Sequence, residues 1–235
     1  MHQRQAGSGQ NVAYMVALSP NIGYRKTSTA ASVNQSLQLM VSTSKIGGWI
    51  RLVIAANQQT IYIYSMKNSR SRTIGVLSDT HLYELDDRFR NQAIHAFSSC
   101  DAIIHAGDLT NKDILDVFRD KQLYAVHGNM CGFKTRTSLP ESLEFTIDDY
   151  RFGLYHGDGI GYDMETGLIS RFAEADCIVF GHTHQPLVHK FNSVLLVNPG
   201  TFRGTGRYGS SGTYAIMTID ERGLSAAIHT LPPDL

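Results

Sequence analysis

The sequence predicts an α/β fold, and three observations carry that prediction. Five short apolar runs, at 73–78, 102–106, 123–127, 151–155 and 177–180, have the length and boundaries of strands. Segments with helical spacing separate several of them. Past Gly181 the pattern turns to short strands set apart by turn residues. The front half therefore reads as β-α-β and the back half as strand-rich. Asp86 and Asp87 open a first helix that runs to about Ser99, with Phe89, Ala93, Ala96 and Phe97 on one face. Asn111 caps a second, in which Ile114, Leu115 and Phe118 recur at helical spacing. Residues 165–174 form a third, with Leu168, Ile169 and Phe172 inward. The later strands lie at 187–191, 194–197, 213–218 and 224–229, with turns at Asn192-Ser193 and Glu221-Arg222-Gly223.

At 235 residues the chain suits one large domain, or one domain plus an extension. A hydrophobic share of 42% is enough for a core. No apolar run approaches the roughly 20 residues that span a bilayer, so no membrane association is expected. The three cysteines, Cys100, Cys131 and Cys177, are widely spaced with no Cys-x-x-Cys. That pattern argues against a secreted disulfide framework and for a reducing, cytoplasmic location. The zero net charge hides an asymmetry. All 21 acidic residues follow position 65, while Arg4, Arg25, Lys26, Lys45 and Arg51 precede it. Residues 1–65 thus carry +5, and residues 66–235, with 16 basic against 21 acidic side chains, carry −5. The acidic-free start has three readings: an organelle transit peptide, a flexible extension, or translation from an upstream start with Met66 as the natural beginning. Only three arginines in the stretch favour an N-terminal extension over residues 1–65 that the function does not need, followed by a functional domain at 66–235. Within the extension, 49–56 and 60–64 have strand character.

Just beyond each of the five strand-like runs stand residues with metal-binding chemistry: Asp79 and His81, then Asp108, Asn129, His156, and His182 with His184. In open α/β sheets the loops past the carboxyl ends of strands converge on one crevice, which would gather these seven side chains together. Each motif alone is a weak signal. An Asp-x-His triplet recurs by chance, Gly107-Asp108 and Gly128-Asn129 also read as turns after strands, and His156 by itself reads as a satisfied strand-end histidine. Gly181-His182-Thr183-His184 is stronger, since two imidazoles past one strand end can share a site. Their corresponding positions make chance the poorer explanation. Imidazole nitrogen mixed with carboxylate and amide oxygen suits manganese, iron, zinc, cobalt or nickel. Seven side chains exceed what one tetrahedral ion needs, which favours two. Two divalent ions outweigh the charges of Asp79 and Asp108 and leave a site attractive to phosphate. Such a pair, about 3.5–4 Å apart, can hold a nucleophilic hydroxide and clamp an in-line phosphoryl displacement. Asp108 is the best candidate to bridge the ions.

These residues resemble the calcineurin-like metallophosphoesterase superfamily, especially its small prokaryotic phosphodiesterase branch. The resemblance runs from about Thr73 to the C-terminus on an ordered motif set: Asp79/His81, Gly107/Asp108, Gly128/Asn129, His156/Gly157 and Gly181/His182/His184. It implies two mixed β-sheets in a sandwich flanked by helices. It also implies a first metal on Asp79, His81 and His184, a second on Asn129, His156 and His182, and Asp108 between them. Manganese is the leading expectation for both ions. The implied activity is hydrolysis of small phosphodiester or phosphomonoester substrates by a metal-held hydroxide. Asn198-Pro199-Gly200-Thr201 is similar to the family's turn near the site.

One departure counts. Many superfamily members carry Gly-Asn-His-Glu/Asp where this chain reads Gly128-Asn129-Met130-Cys131. Met130 cannot donate a proton, so no general acid is assigned and poor leaving groups are expected to depart slowly. Cys131 reads as a small residue near the site, with a metal contact or an oxidation-sensitive thiol as alternatives. His105 and His127 read as packing residues, and His95, His189 and His229 belong to no motif. Phe133, Tyr162, Phe202 and Tyr208 read equally as cleft lining or as ordinary core and surface. Two other functions compete. A non-catalytic scaffold with this fold, as in a retromer subunit, would be favoured by damaged ligand positions, and none is damaged. A nuclease is disfavoured, because a domain at −5 lacks the basic footprint that nucleic acid requires. Nothing in the residues points to an oligomeric state.

Overall fold

The computed structural model describes residues 39–46, 49–56, 60–67, 71–204 and 211–233. The chain divides into two compact units at Arg70/Ser71. In the first, β1 (Leu39–Ile46), β2 (Trp49–Ala56) and β3 (Thr60–Lys67) pair antiparallel in that order. β2 and β3 fall on the two runs with strand character, and β3 continues through Met66. β1 (LMVSTSKI) carries a polar centre, and that leaves it without an apolar signature.

The second unit contains, in chain order, β4 (Arg72–Leu77), α1 (Asp87–Phe97), β5 (Ala102–His105), a 3₁₀ helix (Lys112–Phe118), β6 (Gln122–Ala125), α2 (Phe133–Ser138), β7 (Ser142–Ile147), β8 (Tyr150–Tyr155), α3 (Met164–Arg171), β9 (Cys177–Val179), β10 (Leu187–Phe191), β11 (Val194–Asn198), β12 (Thr213–Asp220) and β13 (Gly223–Thr230). They form two five-stranded sheets, ordered β13-β12-β4-β5-β6 and β10-β11-β9-β8-β7. In the first sheet β4, β5 and β6 are parallel and the β12–β13 hairpin adds antiparallel. In the second, β8, β9 and β11 are parallel, with β7 and β10 as antiparallel edges. Both sheets are mixed, and each keeps three parallel strands.

Side-chain alternation decides how the layers meet. Ile74, Val76, Ala102, Ile104, Ala215 and Met217 of the first sheet share one buried cluster with Phe152, Leu154, Cys177, Val179 and Val197 of the second. The alternate residues face outward. Leu77 and Ile103 pack with Phe89 and Phe97 of α1 and Phe118 of the 3₁₀ helix. Ile178 and Leu196 pack with Leu168 of α3 and with Phe172. The parallel strands are thus covered on both faces, which is why they read as unbroken apolar runs rather than as alternation.

Local signals place most of the helices. Asp86 caps α1, its Oδ1 accepting from Phe89 N at 2.7 Å, and Phe89, Ala93, Ala96 and Phe97 are its buried face. Asn111 caps the next segment, but residues 112–118 wind as 3₁₀ rather than α. α3 starts at Met164 behind the cap Asp163 and ends at Arg171, shorter than the predicted 165–174. α2 and β7 have no counterpart among the predicted elements. α2 buries only Thr135, and β7 is a largely half-exposed edge strand, so neither shows a strong apolar period.

Gly75 on the outer face of β4 lies directly beneath Phe97, as Gly153 of β8 lies beneath Phe172. A methyl group at Gly75 would collide with the Phe97 ring and crowd Ile103 Cδ1 at 3.0 Å. Gly75→Ala should therefore destabilise the chain by about 1–3 kcal/mol in urea titrations. Adding Phe97→Leu to Gly75→Ala should cost less than the two single changes summed. Simple additivity would show that the two side chains do not compete for that space.

Candidate metal centre

All seven predicted ligands stand at the carboxyl ends of parallel strands. Asp79 and His81 follow β4, Asp108 follows β5, Asn129 follows β6, His156 follows β8, and His182 and His184 follow β9. Backbone hydrogen bonds extend the parallel ladders into these loops: Asp79 N to Gly107 O at 3.0 Å, His81 N to Asp108 O at 2.9 Å, and Gly181 N to His156 O at 2.9 Å. Three of these loops come from the first sheet and two from the second, and the sandwich brings the two sets together.

Two carboxylate–imidazole groups result, and they share Asp79. One is Asp79, His81 and His184; the other is Asp79, Asp108 and His156. In the first, His184 Nε2 lies 3.1 Å and His81 Nε2 3.8 Å from Asp79 Oδ1, and the two imidazole nitrogens are 3.4 Å apart. In the second, His156 Nε2 lies 3.2 Å from Asp108 Oδ2 and 4.0 Å from Asp79 Oδ1. His182 stands outside both groups, but its ring meets His156 edge-on with centroids 5.2 Å apart. Asn129 is exposed beside Met130, whose backbone N–H reaches Asp108.

Each carboxylate is held at one oxygen by a backbone amide. His182 N donates to Asp79 Oδ2 at 3.2 Å, and Met130 N donates to Asp108 Oδ1 at 2.7 Å. The other oxygens, Asp79 Oδ1 and Asp108 Oδ2, face the imidazoles. His156 Nδ1 donates to the Ala106 carbonyl at 2.8 Å, a partner that can only accept, so its Nε2 is aimed at the carboxylates. Asp79 Oδ1 and His156 Nε2 are buried and, despite these close approaches, neither has a hydrogen-bond partner of good alignment. Buried orphaned lone pairs converging in this way fit a cation. Ligands about 2.1 Å from a tetrahedral ion lie about 3.4 Å from one another, close to the separations in the first group.

The backbone is strained where these side chains are presented. Eight non-glycine described residues have positive φ, and five of them are Asp79, His81, Asp108, His182 and His184. Such conformations cost about 1–3 kcal/mol each and persist only where the surroundings impose them. The glycines preceding three of the ligands have a different use. A Cβ at Gly107 would strike the His156 ring, at Gly128 it would strike Asp108 and His156, and at Gly181 it would strike Ser78 and Asp79. Each glycine is bare so that a ligand from another loop can approach.

A family model for the calcineurin-like phosphoesterase superfamily domain matches residues 73–222. The chain belongs to that superfamily. A probable metallophosphoesterase of Methanocaldococcus jannaschii is 37% identical over 132 residues, covering 54% of this chain and 67% of the relative. A phosphodiesterase of the same organism is 26% identical over 145 residues, covering 54% and 82%. The structure of vacuolar protein sorting 29 from Cryptosporidium parvum superposes with a TM-score of 0.54 at 18% identity, covering 68% of this chain and 97% of that one, a likeness of fold.

Other candidate residues resolve into plainer roles within this superfamily site. His105 is fully buried, accepts from Gly107 N at 3.3 Å through Nδ1, and so presents Nε2–H to Thr80 Oγ1 at 3.2 Å. It joins the loops of Asp79 and Asp108 from beneath. Cys131 is buried outside both groups and closes the Asn129 turn, its Sγ accepting from Gly128 N at 3.3 Å. Phe202 belongs wholly to the core beneath α1, whereas Tyr83, Met130, Phe133 and Tyr162 are exposed. Tyr208 lies outside the described residues. No helix among the described residues is long and apolar enough to cross a membrane.

The surroundings shift His156 and His105 in opposite directions. Burial works against a charged His156, but the contact with Asp108 and the charge of Asp79 outweigh it and raise its pKa. Burial likewise opposes an ionised Asp108, yet His156, the Met130 amide and His81 hold its carboxyl below the usual range. Burial dominates at His105 and drives it down to about 3.

In excess chelator, stability should therefore peak near the ordinary histidine value of 6.5. Below it the unfolded chain binds the proton that His105 refuses, so stability rises with pH between about 3 and 6.5. Above it the proton bound by folded His156 is progressively lost, so stability falls. Manganese should abolish the alkaline decline, because the metal takes the deprotonated imidazole. Melting curves across this range check the sign; a metal-free stability still climbing above about pH 7 would contradict the His156 environment.

Proposed function

We propose that this chain is a binuclear-metal phosphoesterase acting on small phosphodiesters. The observation that carries the reading is the pair of carboxylate–imidazole groups joined through Asp79. By the resemblance, Asp79, His81 and His184 hold one ion, Asn129, His156 and His182 the other, with Asp108 between them. The participation of Asp79 Oδ1 in both groups makes it a second candidate for the shared carboxylate. When bound, two divalent ions, manganese foremost, supply an activated water and neutralise charge on the phosphate. The chain's own residues set the stage. The amides of His182 and Met130 fix the carboxylates, and the Ala106 carbonyl fixes the tautomer of His156.

The preference for diesters rests on the resemblance and on the phosphodiesterase relative. A scaffold reading is less well supported, because a scaffold has no use for an intact donor set presented from five strained backbone positions. Nucleic acid is a poor fit for residues 66–235 at −5. Exposed Tyr83, on the loop after His81, and Phe133, at the start of α2, offer apolar surface to the organic groups of a small ester.

The deciding experiment is metal analysis of protein purified without added metal, coupled to hydrolysis of bis(4-nitrophenyl) phosphate and 4-nitrophenyl phosphate under several divalent ions. Two ions per chain and complete loss of activity in chelator are expected. Asp108→Asn should lower kcat/KM by more than about 100-fold, beyond the usual effect of a residue supporting a ligand. Full activity with a single bound ion would sink the binuclear reading.

The rate should also depend steeply on leaving-group acidity. Met130 is 60% exposed and offers no side-chain proton, whereas general-acid assistance contributes about 10²–10⁴-fold. Nitrophenyl esters should outpace alkyl esters, and Met130→His, with Cys131→Asp if needed, should narrow the gap. A flat series of kcat/KM against leaving-group pKa in the unmodified chain would reveal another proton source.

A further inference from the structure

We infer that the turn Asn198-Pro199-Gly200-Thr201 is a clamp across the two sheets that positions Asp79, His81 and His184, and so sets metal affinity in that half of the site. The inference rests on the metal-binding reading above, and its test separates the two.

The turn leaves β11 in the second sheet and enters the first, where Phe202 N donates to Ser78 O at 3.0 Å and Thr213 N to Thr201 O at 2.8 Å. Its side chains reach back to both sheets. Asn198 is fully buried, and both ends of its amide are engaged. Nδ2 donates to Gly181 O at 2.8 Å and to Thr183 Oγ1 at 3.0 Å, while Oδ1 accepts from Gly200 N at 2.9 Å. Those two acceptors bracket His182 and immediately precede His184. Thr201 Oγ1 donates to the backbone carbonyl of Asp79 at 3.1 Å.

One four-residue turn therefore grips the loop of Asp79 and His81 with one side chain and the loop of His182 and His184 with another. Neither side chain belongs to the carboxylate–imidazole groups, so their action is positional. The need is physical. Asp79, His81, His182 and His184 all hold positive φ, and strained loops relax unless their carbonyls are tied down. The first group also draws its donors from different sheets, so a slip of one sheet against the other would separate them. The turn itself has little freedom. Gly200 has φ +79°, and a Cβ there would strike Thr213 and crowd Pro186.

The test is calorimetric titration of manganese into the full chain after chelator treatment, with melting temperatures measured in parallel. The unmodified chain should show two binding steps. Thr201→Val, which keeps the shape and loses the hydroxyl donor, should weaken one step by about 10–100-fold, the range for partners that orient ligands, and the other by less. Thr201→Ser should restore it. Asn198→Asp, which keeps Oδ1 and loses Nδ2, should weaken the same step. Thr183→Val, on the exposed loop, removes one of the two Asn198 acceptors without touching the core and carries the test if the buried variants do not fold. Two unchanged steps in Thr201→Val or Thr183→Val would overturn the clamp while leaving the metal site standing. Equal weakening of both steps, tracking a lower melting temperature and not rescued by serine, would also overturn it. A chain that binds no manganese at all would remove the metal-binding reading and the clamp with it.

Discussion

A carboxylate that water cannot reach is the constraint on which the second unit turns. Asp79 is fully buried, and burying an ionised carboxylate costs several kcal/mol unless it is met by donors and opposite charge. The surrounding structure supplies part of that compensation. The Asp79 backbone N–H pairs with Gly107 O, its carbonyl with Thr201 Oγ1, and its Oδ2 with the amide of His182. Only Oδ1 is left to the imidazoles of His81, His156 and His184. Apart from His81, the partners come from residues 28 to 122 positions away, so the carboxylate ties together loops that would otherwise drift independently. A cation at Oδ1 would complete the set.

The sandwich makes that convergence possible. Each sheet contributes three parallel strands, and parallel strands end together on the same edge, so each sheet lines up three ligand-bearing or ligand-supporting loops. Face-to-face packing of the two inner apolar layers then sets one row of loops against the other. Helices close the outer faces, resting aromatic rings on Gly75 and Gly153. Core packing and site geometry are therefore the same problem. A shift between sheets that loosened the shared cluster around Val76, Ile104, Leu154 and Val179 would also pull Asp79 away from His184.

Fold alone does not settle activity, since function lives in the site rather than the scaffold. The superfamily's sandwich appears in vacuolar protein sorting 29 as well as in phosphoesterases. Here the donor set is intact, its backbone is held in costly conformations, and two of its acceptor or donor atoms are buried without partners. Those are features a metal site uses. Met130 marks the difference from members that carry histidine at the same motif position, and under the proposed activity it would shift the burden of leaving-group stabilisation onto charge in the site.

Much of this was legible in the chain itself. Strands covered on both faces must be continuously apolar, so β4, β5, β8 and β9 announced themselves, and the candidate ligands could be picked out because each lies within a few residues of a strand end. Asp86 and Asn111 are local caps whose hydrogen bonds span two or three residues, and local signals survive in sequence. α2 and β7 were silent because they bury too little to leave a period. Phe202 looked equally suited to cleft or core, and only packing beneath α1 placed it in the core. The sharing of Asp79, the support given by His105 beneath two loops, and the grip of Asn198 and Thr201 also came from tertiary structure. Each depends on the relative placement of distant strands, as in the pair Thr201 and Asp79, separated by 122 positions. Spacing along a chain encodes which residues follow a strand; which strands stand side by side, and which loops then touch, is decided when the two sheets close over their common core.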